Sequence, residues 1–154
     1  MDCFISYSHT DEEIALNLQA SLKRMGISAF MAPLSIRPGD DWSREIWDNL
    51  READYVLFLA SAEACNSPYV LQELGGAEYD KKHIVPIVWD ISPSDLPGWT
   101  KRYQAMDLRG QNVFAATEKV TALIHELREG VRSTERLILA LASLAVIAMI
   151  AAKD

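Results

Sequence analysis

Along this chain, short apolar runs bounded by turn residues alternate with segments of helical period. The clearest run, Tyr55 to Ala60, is continuously apolar, which is typical of a strand buried on both faces of a sheet. Cys3 to Tyr7 and Ile84 to Trp89 are similar runs. Because helices that alternate with such strands cover a parallel sheet, the pattern predicts an α/β fold.

Two weaker strands complete the predicted sheet, at Ser28 to Met31 and near Gln104 to Leu108. We expect a flavodoxin-like, five-stranded parallel sheet in the order 2-1-3-4-5, with helices on both faces. Pro86 lacks an N–H group, so it predicts an edge position or a bulge for the fourth strand. Thr10 and Glu13 have the spacing of a capping box for the first helix. The predicted helices are Asp11 to Met25, Trp42 to Ala53, Pro68 to about Lys81 and Val113 to Gly130.

The composition indicates which binding partners and which cell compartment to expect for this chain. The net charge is -7 and no basic run is present, so we expect no nucleic-acid partner. Cys3 and Cys65 lie in or beside apolar runs, where buried reduced cysteine is common. No basic region followed by a long apolar segment precedes the first strand, so we expect no secretory signal and a cytoplasmic domain.

The predicted topology also gives the place of the functional site. In open parallel sheets, ligands bind outside the carboxyl ends of the strands, at the switch point beside the first strand. The residues Ser6, Tyr7 and Ser8, the end of the third strand at Ser61 and the start of the helix at Ser67 should therefore surround one crevice.

Four sequence boxes occur in register over about residues 3 to 130. They are Phe4 to Asp11, Ile36 to Asp41, Tyr55 to Ser61 followed by Ser67 to Leu74, and His83 to Ile87. Each box alone is weakly specific, but in this order they resemble the conserved boxes of Toll/interleukin receptor (TIR) domains. The resemblance implies one of two functions. Some members cleave NAD+ at the nicotinamide bond, in some cases producing a cyclic ADP-ribose signal in defence or cell death, while others only scaffold signalling complexes.

The resemblance places Glu73 on the family's catalytic glutamate. One carboxylate suits this chemistry, because nicotinamide leaves as a neutral base and needs no general acid. The ribose left behind carries oxocarbenium-like positive charge, which a nearby anion stabilises. Without the resemblance, Glu73 would be interpreted as a solvated carboxylate on a helix.

Two other residues of the same helix are candidate contacts. Tyr69 lies one turn before Glu73, where catalytic members often carry tryptophan, so we expect it along the nicotinamide ring or, alternatively, half-buried in the core. Ser67 is expected to cap the helix, and it is also a candidate partner for a ribose hydroxyl.

The end of the first strand supplies further candidates. Residues Ser6 to His9 and the N-terminus of the following helix are expected to meet the pyrophosphate of NAD+, and Arg37 is the nearest loop cation. NAD+ is the expected substrate, with no separate cofactor. No metal is expected, because His9 and His83 lack other ligands at suitable spacing. The candidate substrate-binding residues are Phe4, Ser6, Tyr7, Ser8, Arg37, Ser67 and Tyr69.

Two segments predict association with other molecules. The loop Leu34 to Asp41 carries charges and a Pro-Gly pair, so it should be exposed, and the resemblance implies that it packs against other TIR domains. The predicted TIR domain at 1–130 is followed by a charged connector at 131–136, and the uncharged, apolar residues 137–152 are predicted to form a helix. At about 1.5 Å per residue this helix is short for a bilayer, so it is a candidate membrane segment or an oligomer contact.

Two other classes of protein with a flavodoxin-like sheet are alternatives to a TIR domain. A response-regulator receiver requires a phosphoacceptor aspartate at the end of the third strand, and the chain has Ala60 and Ser61 there. That class is excluded. A nucleoside deoxyribosyltransferase-like enzyme also uses a glutamate, and it would turn over nucleosides but not NAD+.

Overall fold

The computed structural model describes residues 2–31 and 42–151, without the side chains of 42, 43 and 139–151. The predicted exposed loop, including Arg37, therefore lies outside the described residues. The same holds for nearly all side chains of the apolar segment 137–152.

The described elements confirm the predicted fold class. The sheet has five parallel strands in the order β2-β1-β3-β4-β5. The strands are β1 (Cys3–Ser6), β2 (Ala29–Met31), β3 (Tyr55–Ala60), β4 (His83–Val88) and β5 (Met106–Asp107). The helices are α1 (Glu12–Arg24), α2 (Trp42–Glu52), α3 (Pro68–Tyr79) and α4 (Val113–Ala151), with short 3-10 segments at His9–Asp11, Ala64–Asn66, Pro93–Asp95 and Gly98–Arg102.

The central strand β3 aligns the carboxyl ends of its neighbours. Phe58 pairs with Ser6 of β1 on one side and with Pro86 of β4 on the other. Every residue of β1 and β3 is buried, as expected for strands covered on both faces. On one face the side chains of α2 and α3 pack against alternate strand residues, which include Phe4, Val56, Phe58, Ala60, Ile84 and Val88.

Two local predictions are wrong. Strand β4 is not an edge strand, because it lies between β3 and β5. Its proline is tolerated because β5 pairs only with Ile87 and Val88, so no strand lies beside Pro86 on that flank. The capping box is also absent. Thr10 lies within a 3-10 turn, Asp11 is the N-cap of α1, and no side chain caps that helix.

The last helix extends beyond the predicted end at Gly130. Helix α4 has 39 residues and runs through the predicted connector at 131–136. The chain divides into two compact units, which comprise residues 1–121 and residues 122–154. None of the helices in the described part of the chain holds an apolar stretch long enough to cross a bilayer.

Helix α3 approaches α2 closely at Gly76. A Cβ atom at Gly76 would lie 2.0 Å from Cζ3 of Trp47, far inside contact distance, whereas a Cβ at Gly75 would meet nothing within 4 Å. The absence of a side chain at Gly76 therefore sets the distance between the two helices.

We predict that Gly76→Ala lowers the free energy of unfolding by about 1–3 kcal/mol, because the tryptophan ring must move. Gly75→Ala is the matched control and should raise it by roughly 0.5–1 kcal/mol, since alanine favours the helix. Urea denaturation of the two variants measures the difference. Equal free energies of unfolding for the two variants would show that the Trp47 side chain can move aside without loss of stability.

Candidate active site

The site is centred on a carboxylate in the first half of α3. Pro68 occupies the first turn of α3, and the Ser67 side chain accepts a hydrogen bond from the backbone N–H of Val70 at 3.5 Å, so the predicted cap is confirmed. Glu73 lies one and a half turns further on and is only 7% exposed. The interpretation of Glu73 as a solvated surface carboxylate is therefore wrong.

The end of β1 supplies the partner of this carboxylate. The Ser6 hydroxyl donates a hydrogen bond of 2.7 Å to Glu73 Oε2, across 67 residues of sequence. No hydrogen bond joins Oε1 to another of the described residues. One oxygen is thus held by the sheet, while the other can face a ligand.

Burial changes the acidity of this group. Desolvation raises the pKa of Glu73 from 4.5 to about 7, against the opposing effect of the Ser6 hydrogen bond. Near neutral pH the group therefore exists in both its protonated and its ionised form. An anion in such a poorly solvated place interacts strongly with any positive charge that arrives beside it.

Tyr7 lies next to this site and is also buried, at 7% exposed. Burial and the charges of Glu12 and Glu73 raise the pKa of Tyr7 to about 12. The phenol is therefore neutral at physiological pH.

A second buried carboxylate, which the sequence did not single out as functional, lies at the same end of the sheet. Asp11 is 3% exposed. Its Oδ2 accepts a hydrogen bond of 2.6 Å from the Ser61 hydroxyl and another from the Ser8 hydroxyl. The three-residue spacing of Ser8 and Asp11 at the turn after a strand is the signal that could have indicated this contact.

These contacts argue against the predicted pyrophosphate site at the N-terminus of α1. The Ser8 hydroxyl donates its single proton to Asp11, so it has none to donate to a phosphate oxygen. The first turns here also carry the three consecutive acidic residues Asp11, Glu12 and Glu13, which oppose the attraction of the helix dipole for an anion. Ser8 serves the fold in this structure.

The remaining candidates divide between surface and core. Tyr69 is 61% exposed, so its alternative interpretation as a half-buried core residue is wrong, and the ring is accessible one turn before Glu73. Phe4 is fully buried and its ring lies 5.6 Å from that of Phe30, which makes it a core residue with no surface for a substrate. Arg37 lies outside the described residues.

Comparison with known proteins supports the fold described above. The family model described as TIR domain matches residues 3–124. The chain therefore belongs to the TIR domain family.

Particular relatives add detail to this assignment. A probable 2′ cyclic ADP-D-ribose synthase, BdTIR, of Brachypodium distachyon is 34% identical over 97 residues, which cover 62% of this chain and 43% of the relative. The chain thus matches less than half the length of that protein. The fold is similar to the TIR domain of the Toll-related receptor TRR-2 of Hydra magnipapillata, with a TM-score of 0.66, 20% identity and coverage of 82% and 98% of the two chains. It is also similar to a chain of the RPS4 and RRS1 TIR domain heterodimer, with a TM-score of 0.62, 15% identity and coverage of 81% and 96%.

The raised pKa of Glu73 predicts a cost in stability. Below the unfolded-state pKa of 4.5 both states are protonated and there is no cost. As the pH rises from there to about 7, the unfolded state ionises first, and the folded state loses up to about 3 kcal/mol.

We therefore predict that Glu73→Gln, which cannot ionise, gains stability relative to the natural protein as the pH rises. Urea unfolding of both proteins at about pH 5 and about pH 8 measures the change. A stability difference that is the same at both pH values would mean that Glu73 ionises in the folded state as readily as in the unfolded state.

Proposed function

We propose that this TIR domain is an NAD+ nucleosidase that cleaves the bond between nicotinamide and ribose, with Glu73 as the catalytic residue. The observation that carries the proposal is the buried Glu73 carboxylate, held through one oxygen by Ser6 at the carboxyl end of the sheet. Membership of the TIR family and the name of the Brachypodium relative support the same reaction.

The chemistry requires little more than one well-placed anion. As the bond to C1′ breaks, the electron pair goes to the ring nitrogen, and nicotinamide leaves neutral without a proton. Positive charge then develops on the ribose, and ionised Glu73 stabilises it in a site of low dielectric constant. Attack by water gives ADP-ribose, whereas attack by a hydroxyl of the same molecule gives a cyclic product.

The positions around Glu73 suggest roles for its neighbours. The accessible ring of Tyr69, one turn earlier on α3, would lie along the nicotinamide. Ser67, which caps the start of the same helix, would also contact a ribose hydroxyl. Tyr7 directly follows Ser6 in the chain and remains a candidate substrate contact beside Glu73.

The alternative function is a scaffold that acts only through contacts between TIR domains. Such a protein has no need for a buried carboxylate whose desolvation costs stability near neutral pH. The geometry of Glu73 therefore favours an enzyme. Cys3 and Cys65, which both lie in the described part of the chain, are not joined by a disulfide, which suits the reducing cytoplasm where we place this reaction.

We predict that Glu73→Gln abolishes nicotinamide release, because it removes the anion while keeping the size of the side chain. The purified protein is incubated with NAD+, and nicotinamide, ADP-ribose and cyclic products are separated by mass. Tyr69→Ala should lower the rate less severely than Glu73→Gln, since it removes a contact and not the charge.

Parallel incubation with nucleosides provides the control for substrate class. Unchanged NAD+ turnover in a folded Glu73→Gln protein would refute the proposed catalytic role. Nucleoside turnover without NAD+ turnover would instead favour a deoxyribosyltransferase-like enzyme.

We also propose that the active form is assembled from several TIR domains, since the heterodimer of the two relatives shows that such domains pair. An open head-to-tail assembly forms more readily as the protein concentration rises. NAD+ cleavage per molecule should therefore increase over a wide dilution series and with crowding agents. Constant specific activity across the series would show that a single domain is sufficient.

A further inference from the structure

The second buried carboxylate connects two strand ends. Asp11 follows β1, and Ser61 is the first residue after β3. Ser61 donates to Asp11 Oδ2 at 2.6 Å and accepts the backbone N–H of Ala64 at 3.0 Å, while the Ser8 hydroxyl donates to the same Oδ2. The loop after β1 is therefore fixed to the end of β3 through one carboxylate oxygen.

This arrangement is costly and is not explained by helix capping. Asp11 is the N-cap residue of α1, but its side chain caps no backbone N–H. Burial raises its pKa, the hydroxyls of Ser61 and Ser8 lower it, and the neighbouring charge of Asp90 raises it. Among the described residues, no cation forms an ion pair with it. A buried anion that depends on two serine hydroxyls from different strand ends serves to hold those ends together.

The segment that Asp11 fixes is the one that presents Ser6 to Glu73. Ser6 is the last residue of β1, only two residues before Ser8. Its hydroxyl must stay within hydrogen-bonding distance of Glu73 Oε2, on a separate element. We propose that Asp11 is a positioning residue, which fixes the end of β1 through Ser8 and Ser61 so that the Ser6 hydroxyl remains on the Glu73 carboxylate. Its consequence for catalysis rests on the proposed function, but the positioning itself does not.

Loss of the Asp11 charge and loss of its positioning role would shift the pKa of Glu73 in opposite directions. Removing a nearby negative charge would lower the pKa of Glu73, whereas losing the Ser6 hydrogen bond would raise it. The other ionisable groups involved are Tyr7 and Glu12 on the Glu73 side, and Asp90 and Cys65 on the Asp11 side, and the variants below leave all of them in place. The direction of the change therefore separates the two effects.

The test is an NMR titration of the Glu73 carboxyl carbon in the full chain without NAD+. Asp11→Ala and Ser61→Ala, which break the link from opposite ends, should each raise the titration midpoint of Glu73 by about one pH unit. Asp11→Asn should leave the midpoint at or slightly below that of the natural protein, because it removes the charge, while both serines can still donate to the amide oxygen that replaces Oδ2. An unchanged or lowered midpoint in folded Asp11→Ala would overturn the proposal.

Two controls separate positioning from general loss of stability. Ser21→Ala removes another buried hydroxyl, which donates a hydrogen bond of 3.0 Å to Glu118 and lies outside the site. This variant should leave the titration midpoint of Glu73 unchanged. Ser6→Ala should raise the midpoint, and adding Asp11→Ala to it should raise it no further, since both act through the same hydrogen bond. An additional rise in the double variant would contradict the proposal.

Nicotinamide release is measured on the same proteins near neutral pH. Asp11→Ala should reduce the rate more than Asp11→Asn does, by up to about tenfold, in step with the smaller ionised fraction of Glu73. If the natural protein releases no nicotinamide, the proposed function fails, and the titration still decides the role of Asp11.

Discussion

The burial of the Glu73 carboxylate against the end of β1 is the constraint on which the rest of the site depends. A carboxyl group with 7% exposure gives up most of its hydration, and Ser6 returns one hydrogen bond. Helix α3 also packs closely against α2 where Gly76 meets Trp47, which fixes the helix that carries Glu73. In exchange for its cost in stability, the fold gains an anion that water does not screen. A cationic nicotinamide ring that enters beside it would favour the ionised form of Glu73 and so prepare the site for the reaction.

Both buried acids lie where a parallel sheet of this topology places ligands. Ser6, Ser8 and Ser61 follow or end neighbouring strands, so their hydroxyls meet at one edge. These hydroxyls have different partners. Ser6 donates a hydrogen bond to Glu73, whereas Ser8 and Ser61 donate to Asp11. The region at the carboxyl end of β1 is therefore acidic and internally hydrogen-bonded. It suits the cationic end of a substrate better than its pyrophosphate.

Much of this fold could be predicted from the sequence because its signals are local. Continuous apolar runs identify buried strands, and Ser67 before Pro68 identifies the start of a helix. The interior position of β4 could not be predicted, since it depends on how short β5 is beside Pro86. The contact of Asp11 with Ser61 joins residues that are 50 positions apart in the sequence, and three acidic residues after a strand are typical of the exposed start of a helix. Glu73 could be identified through resemblance alone, because its burial is a property of the packed helix and sheet.

The pH dependence of kcat/KM for nicotinamide release by the natural protein tests the central claim most directly. For the free enzyme this quantity reports the ionisation of the group that must be charged. With Glu73 as that group, kcat/KM should rise tenfold per pH unit at low pH and reach a plateau above about pH 7, at the pKa that burial gives this residue. A profile that is flat from about pH 5 to about pH 9, or one that rises near the ordinary pKa of a solvated glutamate, would contradict the account.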